Sequence, residues 1–152
     1  MKAEWVMFAN YAEETGGLLL LTGATWDTIN VTAPIQIVGM PEGLVLPDDA
    51  VLPVTMIQGV LVVRLLFHLT ESNRDHAFSL QLITADGKEL QRTEGQVHVG
   101  WNEDTPPEWD QGVNLIFNVT GQPIPEFGQY AYHLLVDGNH IGERPFRVMR
   151  KY

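Results

Sequence analysis

At 152 residues the chain has room for one ordinary domain, 1–152, with a core that hides most of its apolar side chains. Hydrophobic residues make up 45% of it, too many for disorder, and the absence of cysteine excludes disulfides, thiol chemistry and cysteine-held zinc. A formal net charge of −10, from 19 acids against 9 bases, works against phosphate backbones and anionic membranes, so neither nucleic acid nor a membrane is expected as a partner.

The opening, MKAEWVMFANYAEE, has one lysine and then acids, unlike a secretory leader. Aliphatic runs such as Leu18–Leu21 are far too short to span a bilayer, and the expected location is cytoplasmic. There the Asn-Val-Thr sequons at Asn30 and Asn118 would carry no sugar.

Period-two segments recur along the chain, separated by Gly, Pro, Asn and Asp. Residues 3–9 form the first, with Trp5, Met7 and Ala9 on one face and Glu4, Val6 and Phe8 on the other. After a Gly16-Gly17 turn, Leu18–Thr22 is apolar on both faces and is predicted to lie centrally in its sheet. Gly23 interrupts the chain before Thr25–Val31. Residues 32–57 hold Pro34, Pro41, Pro47 and Pro53, which reads as loop or edge, with room for one short strand near Ile35–Val38.

Gln58–Thr70 is the strongest strand, with Leu61, Val63, Leu65, Phe67 and Leu69 in an inward row and Arg64 and His68 facing away. A polar turn over Glu71–Asp75 leads to Ala77–Thr84, with Phe78, Leu80 and Leu82 inward. Asp86-Gly87 is a hairpin signal, because it supplies the positive φ of a tight turn. Glu89–Thr93 and Gln96–Trp101 follow as two short strands, then an acidic loop over Asn102–Gln111. Val113, Leu115, Phe117 and Val119 line a half-buried strand ended by Pro123 and Pro125. Gly128–Val136 comes next, then a turn at Asp137-Gly138-Asn139 and a last strand, Ile141–Met149, in which Pro145 implies an edge or a bulge.

Eight to ten short strands without crossover helices predict an all-β fold, an antiparallel β-sandwich of the immunoglobulin-like kind with two sheets. Tyr130, near the start of a late strand, suits a tyrosine corner, whose hydroxyl bonds upstream backbone. The predicted core includes Leu20, Leu61, Val63, Leu65, Phe67, Leu80, Leu82, Leu115, Phe117, Tyr130, Leu134 and Phe146.

Three stretches carry a resemblance. They are Phe8–Glu13 with Gly17–Trp26, Glu71–His76 with Asp86-Gly87, and Gly128-Gln129-Tyr130 through Val136-Asp137-Gly138 to Pro145–Val148. In that order they resemble an uncharacterised bacterial family of small, about 150-residue, all-β domains of unknown function. The resemblance implies the fold and brings no activity with it.

Three groups of residues invite a functional reading. His68, His98 and His133 sit on the polar parity of their strands and would make a metal site only if those strands were neighbours; no His-x-His or His-x-x-x-His spacing supports this, and no metal or cofactor is expected. Glu71 and His76 flank a turn that an acid–base site or a cation could use. The simpler reading is a turn held by side-chain-to-backbone bonds and a Glu71–Arg74 ion pair. Trp101 and Trp109 bracket a loop with Glu103, Asp104, Glu108 and Asp110, a combination that suits a protein contact or a sugar ring, or rings folded back over the sandwich end. Ser72 and Ser79 are the only serines, with no nucleophile elbow around either and no phosphate loop elsewhere. The expectation is a non-enzymatic binding or scaffold module acting through protein contacts or self-association. Its alternatives are a metal-dependent or acid–base enzyme using exposed His and Glu, and a carbohydrate-binding module.

Overall fold

The computed structural model describes residues 1–16, 18–32 and 53–151. The strands among them are β1 (Lys2–Ala9), β2 (Tyr11–Thr15), β3 (Leu18–Thr22), β4 (Thr28–Val31), β5 (Thr55–Met56), β6 (Val60–Phe67), β7 (Arg74–Thr84), β8 (Glu89–Val99), β9 (Gln111–Asn118), β10 (Pro123–Ile124), β11 (Gly128–Val136) and β12 (Asn139–Arg150). One 3₁₀ turn, Leu69–Glu71, is the helical element among the described residues. The fold is all-β, as the period-two patterning requires.

One sheet runs β1-β6-β9 and the other β4-β12-β11-β7-β8; β2–β3 and β5–β10 form separate ribbons. Every pairing is antiparallel except β4 with β12. The alternation of β6 buries Leu61, Val63, Leu65 and Phe67 completely. Against them, in the same apolar cluster, lie Leu80 and Leu82 of β7, Tyr130, Tyr132 and Leu134 of β11, and Phe146 and Val148 of β12. The two sheets therefore share one core, in which each fully buried Leu or Phe contributes about 1.5–3 kcal/mol. Phe8 of β1 joins it, stacked on Trp26 at 4.3 Å and edge-on to Phe146 at 5.3 Å. Leu115 and Phe117 pack against the cluster half-buried.

Tyr130 Oη donates to Glu126 O at 2.6 Å, the upstream backbone bond of a tyrosine corner. Among the described residues no strand pairs with that edge of β12 beside Pro145, because β4 engages only Arg147–Arg150. The expected strand near Ile35–Val38 lies outside the described residues.

Four expectations need correction. Among the described residues Leu18–Thr22 pairs only with β2, in a two-stranded ribbon; Leu18 and Leu20 are 77% and 60% exposed and Leu20 is not core. The two short strands predicted over 89–101 are one, β8, because Gly95 is where the Phe78 ring presses on the strand: a Cβ there would meet ring carbons at 2.6–3.3 Å. Strand β6 stops at Phe67, so His68 and Leu69 belong to the 3₁₀ turn; His68 caps it, accepting from Thr70 N. Glu71 binds the Met1 ammonium at 2.6 Å in place of the expected Arg74.

Candidate functional site

Strands β8 and β9 are edges of different sheets, and residues 100–110 carry the chain between them. Side-chain amides fix both ends of this loop. Asn73 Oδ1 accepts from Trp101 N at 3.0 Å, while Gln111 accepts from Asn102 N at 2.8 Å and donates to Gly100 O at 2.6 Å. Inside it, Asp104 N donates to Asn102 Oδ1 and Trp109 N to Pro106 O. The backbone is thus held in place. Trp109 is 64% exposed, Trp101 is half-buried, and Glu103, Asp104, Glu108 and Asp110 are all exposed.

The turn after β6 and the turn between β11 and β12 stand at the same end. A buried histidine ties them together. His76 Nδ1 lies 2.6 Å from Asp137 Oδ2 and its Nε2 2.6 Å from Glu71 O. Both partners accept, so the two bonds coexist only when each ring nitrogen carries hydrogen. Asp137 also accepts from Ala77 N at 3.1 Å. Asp137 and Gly138 have φ of 51° and 79°, the positive pair of a tight hairpin turn. The His76 hydrogen bond holds the Asp137 carboxyl below its ordinary value. Partial burial pushes the Glu71 carboxyl up, but the Met1 ammonium and the His68 N–H together outweigh it and hold that carboxyl low. This network leaves the candidate acid–base pair Glu71 and His76 engaged in joining chain segments.

The histidines singled out in the sequence do not converge. His98 pairs with Asp75 at 2.7 Å, and His68 is in the 3₁₀ turn. His133 faces Gln81, which faces Arg92, and His98 is six positions further along β8 than Arg92, about 20 Å along a strand.

A different trio does meet. Ligand atoms of His133, His140 and Glu143 all lie within 4.8 Å of one another. His133 Nε2 is 3.1 Å from Glu143 Oε2, and the two imidazoles meet edge to face at 5.0 Å. His140 and Glu143 were missed because a spacing of three on a strand puts residues on opposite faces. The register shift between Leu134 and Leu135 undoes this: Leu134 faces Gly142 and Leu135 faces His140, so Ile141 is the extra residue. A signal was present, since counting back from the Asp137-Gly138 turn places His140 opposite Leu135 and hence on the face of His133.

The sequence profile of the Family of unknown function (DUF6941) matches residues 35–149. The chain belongs to that family. The DUF6941 match begins after β4, so β1, which flanks β6, and β4, which flanks β12, lie outside the matched range. No curated protein and no solved structure matches the chain. Among the described residues no helix is long and apolar enough to cross a membrane.

Proposed function

We propose that this DUF6941 chain is an immunoglobulin-like sandwich acting as a non-enzymatic protein-binding module, with Trp109 as the anchor of its contact. The observation that carries the reading is a 64% exposed tryptophan on a loop whose backbone is fixed at both ends. An exposed indole in water has little reason to be held still, and rigid aromatics contribute most at binding hot spots because little entropy is lost on contact.

The strand order supports the fold half of the proposal. A β1-β6-β9 sheet facing β12-β11-β7-β8 has the order A-B-E against G-F-C-C′ of immunoglobulin domains, with the Tyr130 corner entering the F position. In those terms the turns at 68–73 and 137–138 are the B–C and F–G loops, and residues 100–110 follow C′. Loops at this end are the binding loops of variable domains, an analogy of fold that fits the exposed Trp109.

The partner is a second copy of the chain or another protein. The four exposed carboxylates of the same loop favour a basic surface and speed encounter with it. Association is therefore expected to weaken steeply as salt rises, read by sedimentation for self-association or by pull-down for another protein. Replacing Glu103, Asp104, Glu108 and Asp110 by their amides should remove most of that dependence. Association indifferent both to salt and to these replacements would overturn the proposed contact.

A further inference from the structure

We propose that His133, His140 and Glu143 bind one divalent transition-metal ion on the outer face of the five-stranded sheet. His133 alternates with Tyr132 and Leu134, which are core, so its imidazole faces away from the second sheet. Glu143 is its direct partner across β11–β12, and the extra residue Ile141 rotates His140 onto the same side. Bulges recur beside functional sites because they re-aim a side chain in this way.

Two imidazoles and a carboxylate are the donor set that holds zinc or iron(II) with coordination positions left open. A metal bond of about 2.0–2.1 Å places neighbouring tetrahedral ligand atoms about 3.3 Å apart. The His133–Glu143 separation of 3.1 Å already has that spacing. The third donor, on the exposed His140, lies within 4.8 Å of the other two. Across β7, Gln81 is the residue that faces His133, so the adjacent strand places no cation opposite it. The next position in that row, Arg92 on β8, is engaged by Glu89 and Glu94. A net charge of −10 adds a favourable field for a cation. His140 also borders an open polar cleft in which the cations Lys2 and Arg74 stand beside the acids Glu71, Asp75 and Asp137.

The inference is independent of the Trp109 contact, and its test uses the full chain without a histidine tag. Titration with Zn²⁺ alone, followed by calorimetry, should show one ion per chain. His140→Asn and Glu143→Gln should each weaken binding about ten-fold or more, while His98→Asn, outside the trio, leaves it unchanged. Co²⁺ in place of Zn²⁺ should give visible absorption bands that His140→Asn abolishes. His140→Asn keeps the His133–Glu143 contact, so a variant that folds is available if Glu143→Gln does not. Absence of stoichiometric Zn²⁺ uptake would overturn the site, and so would uptake that all these variants retain.

Discussion

His76 is the residue on which the end of the molecule depends. Fully buried, it joins the 3₁₀ turn, the start of β7 and the β11–β12 turn through two bonds of 2.6 Å. An unpaired polar atom buried there would cost about 1–3 kcal/mol, so its partners matter as much as the ring itself. Asp137 and Glu71 are both held below their ordinary carboxyl values. A depressed carboxyl stabilises the fold fully above its unfolded value, about 4, and loses that contribution as pH falls through the lower folded value. The contribution of these two carboxyls to thermal stability should therefore fall away below about pH 4. Asp137→Asn keeps a residue that tolerates positive φ but removes the charge. It should be less stable at neutral pH and show a shallower fall in acid. Equal acid slopes for variant and wild type, in a pH series of melting curves, would contradict this account of the network.

Among the elements, β6 was the most legible and β3 the least. Alternation of Leu61, Val63, Leu65 and Phe67 places that row inward, because a slip by one residue would move all four out of the shared core and turn Arg64 into it. Asp-Gly at 86–87 and 137–138 fixed two hairpins for a local reason, the positive φ that the turns need. By contrast, Leu18–Leu21 has the same composition whether it lies in the middle of a sheet or in a ribbon. Which strand pairs with it is a non-local fact that composition does not hold. The candidate site divides similarly. The braced acidic loop was visible as Trp, Pro and carboxylates together, whereas the His133–His140–Glu143 trio depends on a one-residue bulge that no spacing rule reports. A paired substitution tests the correction at β3. Leu20→Ser should change stability by no more than about 0.5 kcal/mol, since the side chain is 60% exposed. Phe67→Ala, emptying a fully buried site, should cost about 3–5 kcal/mol. Comparable losses in denaturant unfolding of the two variants would place Leu20 back in the core.

Across the whole molecule, two packed sheets supply rigidity and one end presents chemistry. The 68–73 turn, the 100–110 loop, the 137–139 turn and the Met1 ammonium are linked there through Asn73, His76, Asp137 and Glu71. A scaffold of this kind separates folding from contact: residues that anchor a partner can change without disturbing the core, provided they are not themselves core. Trp109 is where that separation is tested most directly. The decisive measurement is on Trp109→Ala, with melting temperature and association read on the same preparation. Its melting temperature is expected near wild type, together with association weakened by about 2 kcal/mol or more, roughly thirty-fold. A variant that melts several degrees earlier while its association is unchanged would make Trp109 part of the fold and overturn its role as an anchor.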